Sequence, residues 1–200
     1  VLTFDAATPG QFRLLADGAV DPDSAVGILQ AFHDAHPADW PLAATFFIAP
    51  AGDEPGAAVF GPAESARRKL EALRAWGLEV GSYGLGGGSL GRKDPEEVQR
   101  ELGLSQTRLE RWLPGLRVFS FALSDAALPR DPALLVKGEH DGMYYAYGAV
   151  VGAGRGLARS PQTSQFDPYR IPRFDATDAA LDHWLAVADR PGMAYVSAGE

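Results

Sequence analysis

Residues 43–49, AATFFIA, are a short uncharged run of almost unbroken apolar character. The run is too short for a stable helix and has the continuity of a strand buried on both faces. Residues 63–76 follow, where Ala66, Leu70, Leu73 and Trp76 recur at helical spacing. Residues 78–82, LEVGS, read as strand again. The interval between the two strands is too long for a hairpin, so they are parallel and joined by a helical crossover.

The pattern extends in both directions. VLTFD (1–5) is a strand, followed by a polar loop over 6–21. Asp21-Pro22 supplies an N-cap and a first-turn proline, and Val26, Leu29, Phe32 and His36 continue at helical spacing. Asp94-Pro95-Glu96-Glu97 opens another helix, its acids placed where the macrodipole favours them. Val98, Leu102, Ser105, Leu109 and Trp112 line one face of that helix. RVFSFAL (117–123) is a fourth strand, 131–136 a short helix, and MYYAYGAVVG (143–152) a fifth strand with a glycine bend. Residues 170–174 are extended. The spacing predicts a helix over 177–189 with Leu181, Trp184 and Leu185 inward, and a last strand over 193–197. There is no internal repeat and no domain linker, so residues 1–200 read as one domain. The chain starts inside a strand and ends just after another, which reads as a segment of a longer protein. An incomplete (β/α) barrel and a doubly wound sheet both satisfy this α/β order, and either puts its site at the carboxyl ends of the strands.

Composition narrows the function classes. The net charge of −8 lacks the basic stripe that nucleic acid requires. No apolar run approaches the ~20 residues of a membrane span. The absence of cysteine removes disulfides, thiolate metal sites and cysteine nucleophiles together. No G-x-S-x-G occurs, and Ser24, Ser82 and Ser89 have no neighbouring histidine in the sequence.

The strand ends bring forward Asp5, Ser82, Tyr83, Ser124, Asp125, Arg170 and Arg173. The order LTFD, ATFFI, GLEVG with a polar loop, and VFSFAL resembles the NodB-homology polysaccharide deacetylases, carbohydrate esterase family 4. The later PYRIPRF and AYVSAG are similar to further segments of that family. The resemblance runs from about residue 2 to the end of the chain. It implies a distorted (β/α) barrel of about seven parallel strands, hydrolysis of N-acetyl groups on a glycan, and an extracytoplasmic location.

The same resemblance places a general base on Asp5. It places the three metal ligands of the family on Ala6, Tyr83 and Gly87. Alanine and glycine have no ligating side chain, and tyrosine is not among the usual zinc ligands. Without a metal to lower the pKa of water from ~15.7 to about 7, amide hydrolysis loses its nucleophile. The expectation is therefore a domain without cofactor that binds a glycan, or holds a protein partner in an envelope assembly. Asp5 stands at the base position, and Ser82, Tyr83, Asp125, Tyr145 and Arg173 are the candidate substrate contacts. The alternative is a working deacetylase with zinc or another divalent ion held by Asp5, Asp125 or His140.

Other features carry two readings each. Asp5 is a surviving base, or a loop cap or partner of an arginine. Gly86–Gly91 matches G-x-G-x-x-G and suggests a nucleotide, but three acids crowd the helix start that follows. His33 and His36 share a helix edge without a third ligand, and Glu139-His140-Asp141-Gly142 reads as a turn. Tyr144, Tyr145, Tyr147 and Tyr169 are sugar platforms or packing. Arg155, Arg159, Arg170 and Arg173 meet an anionic glycan or balance an acidic chain.

Overall fold

The structure is a computed structural model that describes residues 1–56, 58–86, 88–152 and 156–190. In chain order it contains β1 (Leu2–Asp5), α1 (Ala25–Ala35), β2 (Ala44–Ile48), α2 (Ala63–Ala75) and β3 (Glu79–Ser82). There follow α3 (Pro95–Trp112), β4 (Ser120–Ala122), β5 (Lys137–His140), β6 (Met143–Ala146), β7 (Ala149–Val151) and α4 (Asp178–Ala188). Five parallel strands form a half-barrel sheet in the order β1-β2-β3-β4-β7. Strands β5 and β6 make a separate antiparallel hairpin. Among the described residues no helix is long and apolar enough to cross a membrane.

The strand register sorts the side chains. Phe4 stands beside Phe46 and Val80, while Asp5 stands beside Phe47 and Gly81. Neighbours in a parallel register share a face, and successive residues alternate. One face therefore carries Phe4, Phe46, Ile48, Val80, Phe121 and Val150. It forms a continuous core with Leu70 and Leu73 of α2 and Val98, Leu102 and Leu109 of α3. The other face carries Thr3, Asp5, Thr45, Phe47, Glu79, Gly81 and Ser120. On it the Thr45 and Ser120 hydroxyls each donate to the Glu79 carboxylate at 2.7 Å. Burial on both faces holds for β2, whose five residues are all buried, but the two faces differ in chemistry. The helices of the core pack on one face only, and the other is the polar interior of an unclosed barrel.

Local chemistry explains the helix ends. Asp94 and Glu97 form a reciprocal capping box at the start of α3. Helix α1 starts later than Asp21-Pro22 suggests, because the Ser24 side chain caps the Gly27 N–H. Asp21 instead spends its carboxylate on Arg13 and the Asp23 N–H.

Three other expectations change. The run 143–152 is not one strand: the chain turns at Gly148, whose N–H donates to Phe119 O at 2.8 Å. A Cβ there would stand 2.0 Å from the Phe119 ring, so only glycine fits. The short helix expected over 131–136 is present as a 3₁₀ helix over Pro132–Leu135. Leu185 is 62 % exposed, and α4 buries no residue completely. The seven expected parallel strands reduce to five among the described residues, with a single parallel bridge from Val151 to Ile171 extending the sheet. The strand expected over 193–197 lies outside the described residues, as does Arg155.

Gly81 lies where the inner face is tightest, since a Cβ would sit 2.6 Å from both the Phe47 ring and Ser120 Oγ. Gly81→Ala is expected to cost about 1–3 kcal/mol through overpacking. Asp94→Ala, which removes only a cap, costs about 1 kcal/mol. Urea unfolding of the two variants measures the difference.

Candidate functional site

Asp5 ends β1 at the carboxyl edge of the sheet, and the chain turns sharply after it. Ala6 and Ala7 both adopt left-handed backbone, with φ of 65° and 46°. The Ala6 N–H donates to Phe47 O at 3.1 Å, and Gln11 Nε2 donates to Asp5 O at 2.8 Å. Arg173 meets the carboxylate with both terminal nitrogens, Nη1 to Oδ1 at 2.7 Å and Nη2 to Oδ2 at 2.9 Å. Nη1 also donates to Thr3 Oγ1 at 3.3 Å and Nη2 to Leu123 O at 3.4 Å. The guanidinium lies 5.5 Å from the centre of the Phe47 ring. This fork geometry uses the planar, permanently charged group that arginine alone supplies. The arginine partner expected for Asp5 is thus present.

Tyr83 follows β3 and anchors its own N–H on Ile48 O at 2.8 Å. Burial pushes the phenol above its ordinary pKa, and the Asp5 charge pushes it further, against a smaller opposing pull from Arg173. At neutral pH it is a hydrogen-bond donor. Asp125 is exposed beyond β4, where its Oδ1 accepts from the Ala127 N–H at 3.1 Å. Its neighbour Ser124 donates to Gly88 O at 3.2 Å, which sets the β4 end against the glycine loop.

That loop is tied to α3. Glu101 is buried, pairs with Lys93, and accepts from the Leu85 N–H at 3.2 Å. Ser105 donates to Gly84 O at 3.1 Å, and the Gly84 N–H donates to Ser82 Oγ at 3.2 Å. Gly84 has φ 66°, and a Cβ on it would lie 2.4 Å from Glu101 Oε1. The glycine is there because a carboxylate presses on the backbone. The first N–H groups of the loop are committed inside the protein, so this end of the loop offers nothing to a phosphate. Gly87 lies outside the described residues.

Two expected substrate contacts are not at the cleft. Ser82 is 0 % exposed, with its hydroxyl 2.8 Å from Ser105 Oγ. Strand alternation turns it toward the helices, away from Asp5. Tyr145 is buried with its hydroxyl on Leu134 O at 2.8 Å, and burial pushes its pKa up to about 12. Tyr147 is buried beside it, while Tyr144 is 76 % exposed. Among the described residues the histidines join no metal-holding group: His33 Nδ1 is 2.7 Å from Trp40 O, and His140 pairs with Asp141 in the β5–β6 turn. Asp5, Tyr83 and Arg173 do come together. Thr3, Phe47, Gln11 and Glu79 join the inner face without having been singled out in the sequence. The visible signal was a glutamate inside GLEVG, an acid in a strand that is otherwise apolar.

No family model matches the chain, and no curated protein matches it. Solved structures do. The Streptococcus pyogenes deacetylase PplD in complex with acetate aligns with a TM-score of 0.57 and 15% identity, over 86% of this chain and 63% of that one. A family 4 acetyl xylan esterase from Clostridium thermocellum in complex with a cobalt ion aligns with a TM-score of 0.41 and 16% identity, over 79% and 58%. The Bacillus anthracis protein BA3943, described as a family 4 pseudoenzyme, aligns with a TM-score of 0.39 and 16% identity, over 60% and 33%. The chain thus spans less than two thirds of the length of the deacetylase PplD, and it has the fold of the polysaccharide deacetylases.

Of the positions that the resemblance assigns to metal ligands, the two described ones, Ala6 and Tyr83, do not suit a divalent ion. Ala6 offers a methyl group, and Tyr83 keeps its proton. Among the described residues no group of three or more His, Cys, Asp or Glu side chains is arranged to hold a metal.

A double-mutant cycle with Asp5→Asn and Arg173→Met is expected to give a coupling of about 1–2 kcal/mol, above that of a solvent-exposed pair. Tyr145 has a folded pKa of about 12, above its unfolded value of about 10. Its contribution to stability is complete below pH ~10 and is lost as pH rises toward 12. Tyr145→Phe therefore loses stability less steeply than the parent across that window, measured by urea unfolding at stepped pH.

Proposed function

We propose that this is a deacetylase-fold domain that binds a glycan of the cell envelope without hydrolysing it. The observation that carries the reading is the methyl group of Ala6 beside Asp5, at a position where the resemblance calls for a metal ligand. A methyl group cannot ligate, and the Tyr83 phenol, at a second such position, keeps its proton at neutral pH. The Arg173 fork holds the Asp5 carboxylate in one orientation at the cleft. What remains suits recognition: Tyr83 donates a hydrogen bond, the outer edges of the Asp5–Arg173 pair accept and donate, and Asp125 offers a second acceptor at the rim. Neutral sugar hydroxyls, which both donate and accept, match that set. The domain works outside the cytoplasm and, on this reading, needs no metal.

Elemental analysis after equilibration with zinc, run beside a deacetylation assay on chitooligosaccharide, tests the proposal. The expected result is no stoichiometric metal and no turnover, with chitooligosaccharide binding seen by calorimetry and weakened about tenfold by Tyr83→Ala, a loss near 1.4 kcal/mol. About one metal per chain together with turnover would establish an active deacetylase with substitute ligands instead.

A further inference from the structure

Lys69 lies in α2 among Ala66, Leu70 and Leu73 and is 1 % exposed. No carboxylate forms a salt bridge with it among the described residues. Its Nζ donates to Phe60 O at 2.8 Å and also to Gly61 O, and it stands 6.0 Å from the centre of the Phe12 ring. Burying an ammonium costs several kcal/mol unless strong partners compensate, and an apolar side chain would fill the same space more cheaply. Desolvation accordingly lowers its pKa, with Glu64 opposing. Something at the far end of those two hydrogen bonds has to use the charge.

That far end is the turn after Asp5. The Phe60 N–H donates to Ala7 O at 2.7 Å, so the peptides on either side of Phe60 bind Ala7 and Lys69. Phe60, Ala6 and Ala7 all hold left-handed backbone, with φ of 58°, 65° and 46°. None is a glycine, and each such residue costs of order 1 kcal/mol or more. Strain of this kind persists only where the surroundings over-determine it. Three strained residues meet across one hydrogen bond, and a buried ammonium closes its other side.

We propose that Lys69 is a positioning residue for the cleft: through the Phe60 peptide it holds the Ala6–Ala7 turn that aims Asp5 at Arg173. This rests on the reading that the Asp5–Arg173 cleft is the binding site. It is tested without any glycan, so the two stand or fall separately.

The cysteine-free chain makes a clean test possible. Lys69→Cys introduces a single thiol, which is alkylated in the unfolded protein and then refolded. An aminoethyl group restores an ammonium at the length of lysine, and a propyl group gives the same length without charge. Nitrogen-15 spectra of the guanidinium groups report the result. With the aminoethyl group, Arg173 should show separate Nη signals, as in the parent. With the propyl group those signals should merge through free rotation, while Arg74, which donates to Pro114 O elsewhere, stays unchanged. Unaltered Arg173 signals in the propyl protein would overturn the proposal. If the propyl protein does not refold, Lys69→Met is combined with Ala6→Gly and Ala7→Gly, which remove the strain that Lys69 opposes. Recovery of the fold and of the Arg173 signals supports the proposal, and failure to recover them overturns it.

Discussion

Alternation along in-register parallel strands governs this molecule. Each strand presents one set of side chains to the helices and the next set to the barrel interior, and the register aligns these sets across the sheet. Phe4, Phe46, Val80 and Phe121 become one apolar wall. Thr3, Asp5, Thr45, Glu79 and Ser120 become the opposite, polar one. A slip of one residue in β3 would turn Glu79 toward the helices, and one in β2 would turn Phe46 into the barrel interior. Everything at the cleft inherits its position from that constraint, including the space that Gly81 leaves above Phe47.

The parts of the fold that obey a period were legible in the sequence. AATFFIA, the face of α3 and the Asp94 cap all depend on short-range patterns, and each appears within a residue or two of its expected place. Elements that depend on distant partners were not legible. KGEH (137–140) is charged and half exposed, and it is a strand only because MYYA folds back onto it. The break at Gly148 follows from the Phe119 ring, which is remote in sequence. At the site, Asp5, Tyr83 and Arg173 were visible from strand ends and from the family resemblance. Ser82 and Tyr145 were misplaced because nearness in sequence to a strand end does not say which face a side chain takes. Lys69 interrupts an apolar helix face, and that irregularity was present in the sequence without its meaning.

Charge is handled in a consistent way throughout the interior. Glu79 is met by two hydroxyls, Glu101 by Lys93 and a backbone N–H, Asp5 by a guanidinium, and Lys69 by two carbonyls. In each case an ionisable group joins segments that the core alone would leave loosely connected, at loops or between strand ends. Such groups add little net stability when compared with apolar replacements of the same size. What they add is a single arrangement of backbone around the cleft.

The Asp5–Arg173 pair also spans 168 positions of sequence. During synthesis β1 to β4 and their helices can emerge and pack before the arginine has been made. Until then the Asp5 carboxylate faces the barrel interior with no cation beside it. The cleft is thus completed on the ribosome only after the sheet strands have been made, and a nascent chain halted shortly before Arg173 would carry most of the sheet with its polar wall still open.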